Sequence, residues 1–401
     1  MINIDSFIST YITKRQYSMF KDDLDNNKEI LFSRISNKSV CVIGGAGSIG
    51  SSFIKAILPF NPRTLVVVDT NENSLAELTR DLRSTKNMYI PDDYVTYPMD
   101  FSSEIFKKMF LSRKGFDIVC NFSAHKHVRS EKDIFSIEAL LRNNIINAKH
   151  LLDVLSIIPP EVFFCVSTDK AANPVNVMGA SKRIMEDMIF SYSDVFPVKT
   201  ARFANVAFSN GSLPDGFLKR MSKMQPLSAP KDVKRYFVSP EESGQICLLA
   251  CILGNNREIF YPKLQKAQMM SFDEIARKLL LSSGYDVIDC SSDQEAIDRA
   301  EELKLGSKQY PVYFTNSDTS GEKPFEEFVT EKEHSDDKRF DSLGVIIDKD
   351  IPDKNIIEVL LNRLQESFDS DPSKNEIIDI LGDYLPDFKH IETGKSLDSK
   401  M

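Results

Sequence analysis

The chain is short of positive charge, of long apolar runs and of any ordered arrangement of cysteine, and each shortage removes a class of function. Its 50 lysines and arginines stand against 59 aspartates and glutamates, giving a net charge of −9. That leaves no electrostatic footprint for nucleic acid or an anionic membrane, although a local basic pocket for a phosphorylated ligand is compatible with it. Residues 1–21 are interrupted by charges and lack the apolar centre of a secretory leader. No stretch approaches the ~20 apolar residues of a membrane span. The expectation is a cytoplasmic protein with no nucleic-acid and no membrane partner. Cys41, Cys120, Cys165, Cys247, Cys251 and Cys290 are scattered, mostly inside apolar runs such as VCVIGG and FFCVS. They read as small core residues and not as a disulfide framework. Cys247 and Cys251 share a helix face, but no histidine or second cysteine pair stands nearby to complete a site, so no metal is expected.

What is present is an ordinary globular composition, 42% hydrophobic and 27% charged, over 401 residues. That length suits two domains or one elaborated domain. Residues 1–38 have apolar positions at loosely helical spacing and read as a helical extension packed on the next domain or on another subunit. From Ser39 short apolar runs alternate with amphipathic stretches: SVCVIGG, TLVVVD, YVTYPMD, DIVCNFSA and VFFCVST. Five buried strands separated by helices predict an α/β fold with a doubly wound parallel sheet, a Rossmann domain over 39–210. VKTARFANVAF (198–208) is a sixth element, after which the chain is expected to leave the sheet. Residues 211–330 then form a smaller substrate lobe, with helix 240–253, strand 258–262 and helix 272–281, some segments returning to the first domain. The acid-rich 314–340 reads as an exposed loop or insertion, and 331–401 as acidic loop, two amphipathic helices (355–367 and 375–385) and a disordered last dozen residues.

Gly44, Gly47 and Gly50, in GGAGSIG after the first strand, supply a tight turn, a close approach to phosphate and a helix N-terminus that favours anions. Ser48 and Ile49 complete that loop. Asp69 closes the second strand 19 residues beyond Gly50, where an acid accepts hydrogen bonds from a ribose diol and repels a 2′-phosphate. The expected cofactor is therefore NAD, although Arg63, Arg80 and Arg83 stand nearby in sequence. Asp100, ending the third strand, is placed for the adenine edge. Both acids have a blander reading as caps of the helices that follow.

The fifth strand ends in Ser167-Thr168-Asp169-Lys170, at the edge where such a sheet presents groups to a ligand. An adjacent Asp and Lys is either a catalytic pair or a structural ion pair. The continuation AANPVNVMGASKRIMED turns into a helix carrying Lys182. Here the chain resembles the extended short-chain dehydrogenases, and within them the polysaccharide-biosynthesis branch of UDP-N-acetylglucosamine 4,6-dehydratases. The resemblance rests on STDKAANPVNVMGASKRIMEDM (167–188), GGAGSIGS (44–51), SAHKHVRSEKD (123–133), RFANVAFSNGS (202–212) and RYFVSPEES (235–243), and spans roughly residues 39–280. Met178 departs from the usual short-chain dehydrogenase pattern, which has a tyrosine four residues before the helix lysine. Methionine cannot take the hydroxyl proton, but a subset of these dehydratases shares it.

The resemblance implies an enzyme that moves hydride from sugar C4 to NAD and back to C6, with loss of water between. Lys170 would take the C5 proton and Asp169, protonated, would give one to the leaving C6 hydroxyl. Lys182 would reach the nicotinamide ribose; its plain reading is an exposed helix lysine. The base for the 4-hydroxyl is left to Thr168 or Asp169, with water and Lys182 assisting. Asn144 resembles the asparagine that shapes the active-site helix, or is a helix-surface residue. For a nucleotide-sugar substrate, Lys126 and His127 match the family's sugar-side motif, and Asn205, Lys219 and Arg235 are weaker candidates for the diphosphate or uridine. Arg235 also reads as a basic neighbour of core aromatics. Rival readings are a GDP-linked substrate, a nucleotide-sugar 4-epimerase, and a non-catalytic NAD-binding regulator. Relatives assemble through helices beside the active site, so a homo-oligomer is expected.

Overall fold

Runs rich in Val, Ile and Phe become interior strands because both of their faces are covered by helices. The chain was examined as a computed structural model, which describes residues 2–128, 131–318, 320, 321, 323, 325–350 and 352–393. In chain order the elements that matter are helix α1 (Lys28–Ile35), strand β1 (Ser39–Ile43), helix α2 (Ser48–Ile57), and strands β2 (Thr64–Asp69), β3 (Asp93–Pro98) and β4 (Ile118–Asn121). There follow α3 (Asn147–Ile157), β5 (Val162–Thr168), α4 (Val177–Phe190), β6 (Val198–Phe203), α5 (Leu213–Ser222), β7 (Leu227–Pro230) and α6 (Pro240–Leu253). The remainder comprises β8 (Glu258–Pro262), β9 (Asp286–Asp289), β10 (Gln309–Thr315), β11 (His334–Asp336), β12 (Leu343–Ile347), α7 (Lys354–Asp369) and α8 (Lys374–Tyr384).

One sheet of nine strands runs β11-β12-β8-β6-β5-β4-β1-β2-β3. From β3 to β8 every pairing is parallel, and the order reverses between β1 and β4, which opens a crevice at their C-terminal ends. This is the α/β doubly wound architecture expected. The lobe is a separate parallel sheet, β9-β10-β7, over a second apolar core containing Phe217, Leu227, Leu279 and Val312.

Three placements differ from the expectation. The acid-rich region is not simply an exposed insertion: β11 and β12 return to the main sheet antiparallel, β12 against β8. LGVII is too short for its periodicity to separate it from a helix, so only tertiary pairing reveals it. The N-terminal helices bind both units, since Phe7, Ile8 and Ile12 enter the lobe core while the Arg15 guanidinium donates to both Glu242 carboxylate oxygens at 2.7 and 2.6 Å at the start of α6.

Finally, α7 and α8 make contacts with α3, α4 and the turn before α3. Lys149 of α3 pairs with Glu358 at 3.2 Å, Tyr384 donates to Asp187 of α4, and Arg142 sits over the Phe368 ring. Every residue of α4 except Arg183 is buried. An oligomer built on that helix face would have to displace the chain's own C-terminal helices. Most of the expected disordered tail, 394–401, lies outside the described residues.

Candidate active site

The glycine loop is shaped by space. Gly44 has φ +69°, the left-handed region that favours glycine, and a Cβ there would lie 2.6 Å from the Ser123 backbone nitrogen. A Cβ on Gly50 would stand 2.4 Å from the Gly44 carbonyl oxygen. Gly47 caps α2 in an extended conformation, with only that same carbonyl, at 3.3 Å, near its Cβ position. The first turn of α2 thus opens onto a cleft of about 400 Å3 lined by Gly44, Gly47, Ser48, Ile49, Gly50, Asp69 and Asp100 among others. This cradle fits a dinucleotide diphosphate: bare backbone N–H groups at a helix start, and no Cβ in the way. Gly50→Ala is expected to force the loop apart at a cost of about 1–3 kcal/mol, read as a lower melting temperature together with loss of NAD from the purified protein.

Asp69 does more than end a strand. Its carboxylate accepts the Ala46 N–H at 3.1 Å and the Asn71 N–H at 3.0 Å, tying the loop to β2. The cap of the next helix is Asn71, whose side chain accepts from the Ser74 N–H. Asp100 is exposed and accepts from the N–H and hydroxyl of Ser102, while Ser103 caps its helix. Arg80 pairs with Glu77 at 3.5 Å on an exposed helix face, and neither it nor Arg63 or Arg83 is among the residues lining the cleft.

At the end of β5, Asp169 is buried. Its Oδ1 accepts from the Thr168 hydroxyl at 2.8 Å and from the Lys170 ammonium at 3.0 Å. Met178 is buried in α4 and presents no exchangeable proton. Lys182 is not an exposed helix lysine: it is buried, donates to the Val166 carbonyl at 3.1 Å, and burial lowers its pKa. Asn144 is equally interior. It accepts the His125 N–H at 2.8 Å and donates to the His125 carbonyl and the Ser181 hydroxyl, fastening α4 to the loop after β4.

The substrate candidates are spread out. Lys126 lines the cleft and donates to the Asn210 carbonyl at 3.2 Å, and His127 stands over Gly211. The Asn210 N–H donates to the Ser48 hydroxyl, so the lobe and the glycine loop are joined across the cleft. Asn205 lies in a two-residue parallel bridge to Phe237. Lys219 is exposed and paired with Asp215 at 2.6 Å. Arg235 is buried and donates to the Lys234 and Lys323 carbonyls at 2.9 Å each.

Residues that sequence reasoning passed over are Asn143, Met99 and Phe101 on the cleft wall, Glu131, which accepts the Val177 N–H at 2.7 Å at the start of α4, and Glu326 near the Asp169–Lys170 pair. Among the described residues Glu131, His390 and Glu392 have the spacing of metal ligands. Lys374 already pairs with both carboxylates there. The cysteines are chemically quiet, since burial pushes the Cys41 thiol up to about 12 and that of Cys165 to about 11.

Comparison with known proteins gives a consistent picture. Among curated relatives, the chain is 30% identical over 327 residues to the probable polysaccharide biosynthesis protein EpsC of Bacillus subtilis, covering 80% of this chain but spanning only 50% of the relative. It is 22% identical over 302 residues to an inverting UDP-N-acetylglucosamine 4,6-dehydratase of Campylobacter jejuni, covering 73% and 82% of the two chains. A UDP-glucose 4-epimerase of Rickettsia bellii is 25% identical over 253 residues, covering 61% and 70%. Among solved structures, Pen from Bacillus thuringiensis superposes with a TM-score of 0.63 at 18% identity, covering 82% of this chain and 98% of that one. DesIV, a dTDP-glucose 4,6-dehydratase from Streptomyces venezuelae with NAD and TYD bound, gives 0.55 at 18% identity, covering 72% and 88%. These likenesses are of fold. No helix among the described residues is long and apolar enough to cross a membrane. A family model described as polysaccharide biosynthesis protein matches residues 40–347, and the chain belongs to that family.

Proposed function

We propose that the chain is an NAD-dependent 4,6-dehydratase of UDP-N-acetylglucosamine, serving polysaccharide biosynthesis. The observation that carries this reading is the Asp169–Lys170 pair at the C-terminal end of β5, Asp169 buried and Lys170 half-buried, joined by one hydrogen bond, with Met178 where a hydroxyl would stand. NAD bound on the glycine loop supplies the acceptor and donor of hydride for C4 and C6. Gly44, Gly47, Gly50 and Asp69 would hold it, the acid favouring a free ribose diol.

The chain's own groups supply the proton chemistry. The reading requires Lys170 to act as the amine that removes the C5 proton and Asp169 as the acid that protonates the leaving C6 hydroxyl. Among the described residues Lys170 is the one cation within ion-pair distance of Asp169, at 3.0 Å. Lys126 and His127, at the lobe side of the cleft, are assigned to the sugar nucleotide.

The epimerase reading has relatives in its favour but needs the hydroxyl that Met178 lacks. The regulator reading has Met178 in its favour and leaves the Asp169–Lys170 pair without a use. Incubation with UDP-N-acetylglucosamine or its GDP counterpart and catalytic NAD, followed by mass spectrometry and proton NMR, separates them. Loss of one water supports the dehydratase, isomerisation the epimerase, and absence of turnover with NAD bound the regulator. Self-association is assigned to a surface other than the α4 face against which α8 packs.

A further inference from the structure

Helix α4 begins against a carboxylate that the chemistry above has not used. The first N–H groups of a helix have no partner within it. In α4 two of them are met by side chains: the Gly179 N–H donates to the Asn176 side chain at 2.7 Å, and the Val177 N–H donates to Glu131 Oε2 at 2.7 Å. Glu131 is buried, and a carboxylate at this end of a helix also suits its dipole. Its other oxygen, Oε1, is bonded to Nε2 of His390 and stands 3.6 Å from the Lys374 ammonium at the start of α8.

His390 belongs to the segment that follows α8, and that segment also grips the residues leading into α4. The Ile391 N–H donates to the Val175 carbonyl at 2.9 Å, while the Ile391 carbonyl accepts the Gly321 N–H at 3.0 Å. Asn176 closes the clasp by donating to the Gly321 carbonyl at 2.8 Å.

The start of α4 backs the lysine assigned to C5. A Cβ on Gly179 would lie 2.6 Å from the Lys170 carbonyl oxygen, so the first turn of the helix rests directly on the Lys170 backbone. Lys182, one turn further on, has a separate hold through the Val166 carbonyl, and Ser181 another through Asn144. A loosened first turn therefore disturbs Lys170 before it disturbs the nicotinamide side.

We propose that Glu131, braced by His390, is a positioning residue that fixes the first turn of α4 and through it sets Lys170 for the C5 proton. The inference rests on the dehydratase reading and deepens it. What the helix needs from Glu131 is an acceptor for the Val177 N–H, which a carboxamide supplies and a methyl group does not.

The test compares NAD-loaded full-length wild type, Glu131→Ala, Glu131→Gln and His390→Ala with UDP-N-acetylglucosamine, below the melting temperature of all four. Displacing a catalytic group by about 1 Å costs about 100-fold in rate. Glu131→Ala is expected to lose about 100-fold in kcat and His390→Ala about 10-fold, with KM and NAD content unchanged, while Glu131→Gln stays within about 3-fold of wild type. Hydrogen exchange followed by mass spectrometry reads the anchor without turnover. Amides in 169–180 exchange faster in Glu131→Ala than in wild type, and at the wild-type rate in Glu131→Gln.

A wild-type kcat in Glu131→Ala or His390→Ala, a Glu131→Gln as slow as Glu131→Ala, or a loss that falls on KM and NAD content overturns the positioning role and leaves the dehydratase reading in place. A wild type that loses no water from the sugar overturns that reading. The exchange rates then decide the anchor by themselves, and wild-type exchange in Glu131→Ala removes it.

Discussion

Lys170→Ala should bind NAD as the wild type does and lose water from UDP-N-acetylglucosamine about 10²–10⁴-fold more slowly, the usual span for removing a positioned base. The effect falls on kcat. The Lys170 ammonium bonds to Asp169 and, among the described residues, to none of the glycine loop, so NAD content measured on the purified variant is the control that separates lost chemistry from lost binding. Unchanged product formation would remove Lys170 from the mechanism. Persistent exchange of label between C4 and NAD in the variant would place Lys170 after the first oxidation.

The second large effect is on stability. Arg202 is fully buried behind β5 and α4, donating to both carboxylate oxygens of Glu186 at 2.8 and 2.7 Å and to both of Glu333 at 2.7 and 2.8 Å. Lys349 and Arg183 add ion pairs to Glu186, and the Ser167 hydroxyl donates to the same carboxylate. Arg202→Met keeps the apolar stem and leaves two buried carboxylates short of their main cation. Breaking such a cluster costs about 3–5 kcal/mol, measurable by urea denaturation at neutral pH. Replacing Glu186 and Glu333 by Gln in the same chain should recover part of it, because the uncompensated charges go with them.

The pH dependence has a defined sign. Burial acts to raise both carboxyls, but the cations overcome it, holding Glu186 far below the usual range and Glu333 at about 2. Depressed folded-state values mean that the stability they supply is full above the ordinary value of 4.5 and drains away as pH falls toward 2 and below. Arg202→Met should flatten that acid limb.

The parts of this site legible in the sequence are those whose chemistry is local. A glycine loop between a strand and a helix, an acid closing the next strand, and Asp169-Lys170 at a strand end are fixed by neighbours within a few residues, so spacing carries them. Lys182 shows the limit. Its helix position was plain from the string, yet its burial against the Val166 carbonyl depends on how α4 packs over β5. Glu326 was invisible for a stronger reason. Composition made its surroundings look solvated, and only the fold brings it from more than 150 residues away to the neighbourhood of Asp169 and Lys170. Glu333 hid in the same stretch and proves to be a buried partner of Arg202. LGVII and the lobe strands β7 and β9 were lost because four- and five-residue runs carry too little periodicity. That α7 and α8 would contact α3 and α4 could be foreseen from no local pattern, since amphipathic helices announce an apolar face and not what it faces.

The central claim is that one molecule of sugar nucleotide is both oxidised at C4 and reduced at C6 in the same site. The direct measurement is turnover of UDP-N-acetylglucosamine deuterated at C4 in ordinary water, with product read by proton and deuterium NMR. The account predicts a 4-keto-6-deoxy sugar nucleotide with deuterium in the C6 methyl group and a proton at C5. Deuterium retained at C4 with no loss of water would contradict it and identify an epimerase.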